Sequence, residues 1–154
     1  MLACFRTSTK TDQRDDDGRE VFYRAMGPRE FSKLVTSGGR LSLKSPTTEL
    51  FVTQDLNYVA TLSLRDDRFP IMVKFRVLQR TRSELLKRGA ADGSIYDNVK
   101  ALGYLPRVET HNPNQVHVKF VGYAITYGLR ANTIDIFNNA VVTLKRIGYK
   151  GFQF

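Results

Sequence analysis

The stretch VFYRAMGPREFSKLVTSGG, residues 21–39, decides how the fold begins. Its first three residues are β-branched or aromatic, which predicts a short strand. Pro28 predicts the start of a helix, since proline is favoured at the first helical position, and Gly38 predicts the left-handed cap that ends it. The strand therefore carries one arginine, Arg24, to the residues just before a helix, and its purpose there has to be explained.

Further strands and helices follow from the same kinds of pattern. Asp55 predicts an N-cap for a helix after the second strand. Thr81 and Glu84 fit a capping box, which predicts a short helix over 84–88. The predicted strands cover residues 21–23, 50–53, 69–78, 115–120, 124–127 and 141–147, with one helical turn within 132–138. The order of these elements predicts an α+β fold, mostly antiparallel sheets with a few short helices. We expect one folded domain over 20–154, preceded by a flexible polar arm over 1–19.

Charge points to the kind of partner. The chain has 24 Lys and Arg against 15 Asp and Glu, a net charge of +9, which favours RNA, DNA or an acidic protein as partner. No stretch approaches the ~20 apolar residues of a membrane span, so we expect no membrane partner. We also expect a monomer. His111 and His117 have no cysteine partners at ligand spacing, so no metal site is predicted.

Arg24 has two interpretations when the residues alone are considered. A guanidinium at the end of a strand can hold a phosphate or ribose through paired donors. It can equally tie down a loop carbonyl in a purely structural role. Composition does not decide between these two interpretations.

The opening resembles that of the ADP-ribosyltransferase toxins of the cholera and pertussis type. Tyr23 and Arg24, then Pro28 and Glu30, then the glycine-ended turn over 37–39 reproduce that family's order and approximate spacing. The resemblance implies an ADP-ribosyltransferase-like fold around an NAD cleft, with NAD as a substrate. It also implies that Arg24 orients NAD, bonding the backbone near the nicotinamide ribose and contacting phosphate.

Residues 50–62, LFVTQDLNYVATL, resemble the family's second element, a strand carrying Ser-Thr-Ser followed by a helix. Thr53 matches the central region, whereas Gln54 stands where a serine is expected. The resemblance implies that both residues hold the ribose on the nicotinamide side and that Tyr58 lines the cleft. The implied NAD-binding residues are Tyr23, Arg24, Thr53, Gln54 and Tyr58.

The third element of the family is Glu-x-Glu or Gln-x-Glu at the start of a late strand, whose second Glu stabilises the oxocarbenium-like ribose. Gln115 matches the first position, but His117 stands where the catalytic glutamate belongs. Glu109, in the preceding loop, is the nearest carboxylate. The implied catalytic candidates are therefore Glu109, Gln115 and His117, and we expect them to border one cleft with Arg24 and Thr53.

The tail also resembles C-terminal toxin domains of bacterial Rhs-type polymorphic toxins. Gly128 and Leu129 precede the run from Asp135 to Asn138, as an equivalent pair does in those domains. The resemblance implies a secreted antibacterial effector acting in the cytoplasm of a target cell, with a cognate immunity protein. With the first resemblance, it implies transfer of ADP-ribose from NAD to RNA or to a protein acceptor.

Two other classes remain open. A metal-independent ribonuclease toxin needs a basic cleft with histidine as acid or base and a cation to stabilise the phosphorane. Its candidate residues are His111, His117, Arg107 and Lys119. A non-catalytic nucleic-acid binder needs aromatic residues interleaved with basic ones on a strand face. Its candidate residues are Lys119, Phe120, Tyr123 and Tyr127.

Overall fold

A computed structural model describes residues 18–92 and 105–154, and within these residues the strands form a single sheet. The strands are β1 (Glu20–Met26), β2 (Leu50–Thr53), β3 (Ile71–Val77), β4 (Gly89–Ala91), β5 (Val116–Val121), β6 (Ala124–Leu129), β7 (Val141–Tyr149) and β8 (Phe152–Gln153). The helices are α1 (Pro28–Thr36), α2 (Leu56–Arg65), α3 (Thr81–Leu86) and α4 (Ile134–Ala140).

The sheet has the spatial order β4-β5-β6-β2-β1-β3-β7-β8. Each neighbouring pair is antiparallel except β4 and β5, which are parallel. This confirms the prediction of an α+β fold with a mostly antiparallel sheet and few helices. β5 thus lies near one edge of the sheet, and β8 forms the opposite edge.

Alternation along the strands gives the sheet two different faces. On the first, here called the core face, buried side chains of α1, α3 and α4 join those of the strands in one large cluster. Phe137 of α4 packs edge-on against Phe22 and Phe75, with ring centroids 5.4 Å apart in both pairs. On the second, here called the α2 face, Val59 packs on Ala25 and Met72 in a smaller cluster.

Local signals placed the first helices correctly. α1 starts at Pro28, and Gly38 beyond its end adopts φ +74°, the left-handed conformation that glycine takes without strain. Asp55 caps α2, since its carboxylate accepts a 2.9 Å hydrogen bond from the amide of Tyr58. These caps are determined within a few residues of sequence, which is why the pattern was enough to predict them.

The start of α3 was predicted wrongly. The helix runs over Thr81–Leu86 instead of 84–88, and Arg80 precedes it in the left-handed region at φ 70°. Its amide groups are capped from another element, because the Glu20 carboxylate of β1 accepts hydrogen bonds from the amides of Arg80 (3.0 Å) and Arg82 (2.8 Å). A cap supplied by a residue 60 positions away leaves no local trace in the sequence.

Later elements are longer than predicted. The turn expected within 132–138 is α4, the last long strand continues to Tyr149, and β8 pairs with it as a short edge strand. The flexible arm expected over 1–19 lies, as far as residue 17, outside the described residues. No helix in the described part of the chain has the length and apolar character that crossing a membrane requires.

Removing the distant cap of α3 is expected to destabilise the domain. The change Glu20→Gln deletes one of the two acceptors that the amides of Arg80 and Arg82 use, which we expect to cost about 1–2 kcal/mol of unfolding free energy. Urea denaturation measures it. Glu84→Gln is the control, because its exposed pair with Lys87 contributes little; equal stability of both variants would contradict the capping role.

Candidate functional site

The sheet register brings three strands together at one end of the α2 face. His117 of β5 and Phe51 of β2 both lie opposite Gly128 of the intervening β6, so their side chains share that face. A Cβ at Gly128 would stand 2.8 Å from the Phe51 ring and 3.1 Å from His117, so only glycine leaves them room. Glu49 and Arg130 lie two residues beyond Phe51 and Gly128, where alternation places both on the same face.

One carboxylate oxygen of Glu49 contacts both His117 and Arg130. Its Oε2 lies 2.8 Å from Nδ1 of His117 and 2.8 Å from Nε of Arg130, and all three side chains are largely buried. Burial by itself raises the pKa of Glu49, but the hydrogen bonds and charges of His117 and Arg130 outweigh it and lower the pKa to about 2. Glu49 is therefore an anion at neutral pH.

Arg130 also fixes the loop over 105–115 that precedes β5. Its Nη1 donates to the carbonyls of Glu109 (2.7 Å) and Asn112 (2.9 Å), while its own amide donates to the hydroxyl of Thr133 (2.8 Å). One guanidinium thus ties the end of β6 to the start of β2 and to the 105–115 loop. Its Nη2 has no hydrogen bond to any described residue and remains a donor for a ligand.

These contacts surround a pocket of about 330 Å³, a size that suits a small ligand or one nucleotide. The ionisable side chains that line it are Glu49, Asp92, Glu109, His111, His117 and Arg130. His111 adopts φ 61°, a conformation that costs energy for a non-glycine residue and is often found at functional sites. Both histidines of the chain therefore face one cavity.

His117 has the arrangement of an oriented acid or base. If its Nδ1 carries the proton donated to Glu49, the neutral ring presents Nε2 as an acceptor. That Nε2 is buried and has no hydrogen-bond partner among the described residues. A carboxylate that holds an imidazole in one tautomer and stabilises its protonated form is a recurring catalytic device.

Two of the three predicted catalytic residues share this pocket. Glu109 and His117 line it, whereas Gln115 lies outside its lining. Gln115 accepts a 2.8 Å hydrogen bond from the amide of Glu109 and so holds the loop in place. Sequence reasoning missed Glu49 and Arg130, although both continue the two-residue alternation of their strands.

Arg24 is engaged elsewhere. Its Nε and Nη2 donate to the two oxygens of Glu30 at 2.6 and 2.9 Å, and its Nη1 donates to the carbonyl of Phe51 at 2.8 Å. It lies opposite Val73 on β3, whereas its neighbour Tyr23 lies opposite Thr53 on the α2 face. Arg24 therefore belongs to the core face and does not share the pocket of His117; a role toward NAD stays a prediction.

The other predicted NAD-binding residues do not line this pocket within the described part of the chain. The Thr53 hydroxyl donates to the carbonyl of Ile125 at 2.7 Å and accepts from the amide of Asp55 at 3.1 Å. Tyr23 and Tyr58 pack around the cluster beneath α2. The amide nitrogen of Gln54 is buried with no hydrogen-bond partner among the described residues.

The candidate residues for a ribonuclease and for a non-catalytic nucleic-acid binder also lie at different places in the fold. Of the ribonuclease candidates, Lys119 lies on the same face as His117, with its Nζ 5.0 Å from the centre of the Phe51 ring. Arg107 forms an isolated bridge with Ala91 and does not line the pocket. Phe120 and Tyr127 pack in the large cluster on the core face, away from Lys119, so these candidates do not share one face of β5 and β6.

A metal site is not apparent from the geometry. Nowhere in residues 18–92 or 105–154 do three histidine, cysteine or acidic side chains converge closely enough to hold an ion. The chemistry that this arrangement offers comes from imidazole, carboxylate and guanidinium groups.

The Arg24–Glu30 pair is expected to stabilise the fold. Arg24→Ala removes a two-point ion pair and the hydrogen bond to the carbonyl of Phe51, which we expect to cost about 2–3 kcal/mol. Chemical denaturation of both single variants and of the double variant with Glu30→Ala gives the coupling energy. Additive effects of the two changes would contradict a direct interaction.

The stability that Glu49 provides is expected to disappear in acid. Its pKa is about 2 in the folded state against an ordinary value of 4.5, so the contribution is complete above the ordinary value and is lost as the pH falls toward about 2. Glu49→Gln should therefore be clearly less stable than the wild type at neutral pH, with the difference shrinking between about pH 5 and pH 2. A difference independent of pH would contradict an ionised Glu49.

Comparison with known proteins identifies the family. Residues 18–146 match the PT3 toxin domain, which is more than half of the chain and includes Glu49, His111, His117 and Arg130. No curated protein gives a significant match. The match confirms the prediction of a polymorphic toxin domain, and a toxin domain is consistent with a secreted effector. The chain therefore belongs to the PT3 toxin domain family.

Proposed function

We propose that this toxin domain cleaves RNA without a metal ion, using His117 as the general base. The observation that carries the proposal is the fixed contact of Nδ1 with Glu49 in a residue that lines the pocket. Nε2 of the same ring is buried with no hydrogen-bond partner among the described residues, so the proposal requires a local shift that opens Nε2 to the substrate. His111 and Arg130 line the same pocket, so an acid and a guanidinium accompany the base. The proposed setting is the cytoplasm of a target cell, where an effector meets RNA.

The proposed step is an internal transphosphorylation. Nε2 of His117 takes the proton of a ribose 2′-hydroxyl, and the 2′-oxygen forms a bond to the adjacent phosphorus. The bond from phosphorus to the 5′-oxygen breaks, and protonated His111 gives that oxygen a proton. The products are a 2′,3′-cyclic phosphate and a free 5′-hydroxyl, so the reaction is balanced without water or a co-reactant. Each positioned proton transfer of this kind supplies roughly 10²–10⁴-fold in rate.

The negative charge that develops on the non-bridging phosphate oxygens in the transition state also has to be stabilised by a hydrogen-bond donor or a cation. Nη2 of Arg130 is the free donor beside the base, and its guanidinium is already positioned by Glu49 and two carbonyls. A preorganised donor of this kind stabilises a transition state without reorganisation. Lys119 and Phe51, which lie next to His117 on the same face, supply a cation and a ring for the neighbouring nucleotide.

ADP-ribosyl transfer from NAD is the second candidate, and the carboxylates of the pocket favour it. Besides Glu49, which Arg130 neutralises, Asp92 and Glu109 line the cavity. Two further negative charges suit an oxocarbenium-like ribose better than a phosphate. On this alternative Glu109 faces the reacting carbon, Gln115 and His117 orient the groups around it, and RNA or a protein is the acceptor.

The NAD candidate assigns binding roles to residues away from this pocket. The family resemblance implies that Arg24, Thr53 and Gln54 hold NAD, with Tyr23 and Tyr58 beside it. Arg24, however, lies on the core face, and its guanidinium is already bonded to Glu30 and Phe51, which counts against one NAD contacting both Arg24 and the pocket. The bond from Arg24 to the carbonyl of Phe51 agrees with the backbone contact that the resemblance implies. An immunity protein that blocks the active site in the producing cell would be compatible with either activity.

Activity assays with purified protein test the proposal. We expect RNA to be cut in the presence of a chelator and its 2′-deoxy counterpart to remain intact, because the 2′-oxygen is the nucleophile. His117→Ala and His111→Ala should each lower the rate by about 10²–10⁴-fold. Tyr123→Ala, at an exposed turn between β5 and β6, is the matched control and should retain full activity.

The same reactions separate the two candidates when they contain NAD. NAD consumption without RNA fragments would overturn the ribonuclease proposal and support the transferase. Unchanged cleavage by both histidine variants would also overturn it, provided that thermal melting shows them folded. Fragments that end in a 2′,3′-cyclic phosphate, detected by mass spectrometry, are the expected result.

A further inference from the structure

Exposed aromatic rings gather at the β8 edge of the sheet. Tyr149, Phe152 and Phe154 are exposed to 41%, 74% and 62%. Tyr149 lies directly opposite Phe152, and the amide of Phe154 bonds to the carbonyl of Ile147 at 2.8 Å, so the hairpin holds all three rings close together. Exposed apolar groups that cluster in this way commonly mark a binding surface.

Two cations lie against these rings. The guanidinium carbon of Arg146 is 5.4 Å from the centre of the Tyr149 ring and 5.1 Å from that of Phe154. Nζ of Lys150 is 5.9 Å from the centre of Tyr149. We call these three aromatic and two basic residues the edge patch. Its rings and its positive charges are interleaved instead of being segregated.

The charge of the edge patch is not balanced locally along the chain. Residues 141–154 contain Lys145, Arg146 and Lys150 and no acidic residue. An uncharged apolar partner would have to bury these cations without compensation, which is costly. The edge patch therefore suits a ligand that offers flat rings and negative charge together.

We propose that the edge patch binds single-stranded RNA. Bases stack on Tyr149, Phe152 and Phe154, while Arg146 and Lys150 neutralise the phosphates between them. Aromatic rings that carry stacked bases beside cations that follow the backbone are the general means by which proteins hold single strands. An acidic protein would use the charges but has less use for three exposed rings.

The edge patch is separate from the pocket. β8 lies six strand positions from β5, which corresponds to about 29 Å at ~4.8 Å per strand. Binding at the edge patch does not rest on the proposed cleavage, because it needs no chemistry in the pocket. If both hold, an RNA long enough to reach across the sheet is bound at two places and cut at one.

Binding of a non-cleavable strand tests the proposal. The probe is a 2′-O-methylated RNA of about 12 nucleotides, since single-strand sites span roughly 4–16 nucleotides and this strand lacks a reactive 2′-hydroxyl. The double variant Phe152→Ala with Phe154→Ala should bind about tenfold more weakly than the wild type. Tyr123→Ala removes an exposed aromatic residue that lies outside the edge patch and should bind normally.

Salt dependence tests the role of the cations. Arg146→Gln should lower the slope of log affinity against log salt by about one, as expected when one phosphate contact is lost. Arg29→Gln, an exposed change in α1, should leave the slope unchanged. Ultraviolet cross-links from a 4-thiouridine-bearing probe should map to residues 149–154.

Three results would overturn the proposal. The first is wild-type affinity of the double aromatic variant. The second is an equal loss of affinity in Tyr123→Ala and the edge-patch variant. The third is a purely protein-binding surface, seen as self-association in sedimentation that the edge-patch changes abolish while RNA affinity stays the same. All variants alter exposed side chains, so folding is expected to survive, and circular dichroism verifies it.

Discussion

The candidate site depends on one carboxylate oxygen. Oε2 of Glu49 accepts both from His117 on β5 and from Arg130 after β6, and Glu49 itself immediately precedes β2. A buried anion with two such donors is stable only if all three strands keep their register. The same contact therefore fixes the sheet at this end, orients the imidazole and places the guanidinium, which in turn holds the carbonyls of the 105–115 loop.

Strand alternation explains why Arg24 and His117 do not meet. Arg24 follows Tyr23, and the Tyr23–Thr53 pairing assigns Tyr23 to the α2 face, so Arg24 must face the core side. There it binds Glu30 of α1 and the carbonyl of Phe51. The sequence left two interpretations of Arg24 open, and these contacts agree with the structural interpretation. They also hold β2, which contains Phe51 and directly follows Glu49, and in this way they support the pocket indirectly.

The sequence predicted what short-range chemistry determines. The limits of β2 and the cap at Asp55 depend on neighbours a few residues away, and both were predicted correctly. The start of α3 depends on Glu20, and the pocket depends on Glu49 meeting residues 68 and 81 positions later. No local pattern carries such information. A weak signal did exist, because Glu49 continues the alternation of Phe51 and Thr53 by one further step of two, and Arg130 does the same for Thr126 and Gly128.

The net charge of the chain attracts an anionic substrate, whereas the carboxylates of the pocket repel it, and this constrains where such a substrate can bind. A net charge of +9 attracts polyanions to the surface as a whole. Inside the pocket, however, Asp92 and Glu109 repel a phosphate, and Glu49 is already paired with Arg130. A phosphate is therefore held best between Nη2 of Arg130 and the imidazoles, away from Glu109. A substrate that also binds distant basic surfaces can still place its reacting group in the pocket, because the binding free energy gained at those surfaces offsets the electrostatic repulsion from Asp92 and Glu109.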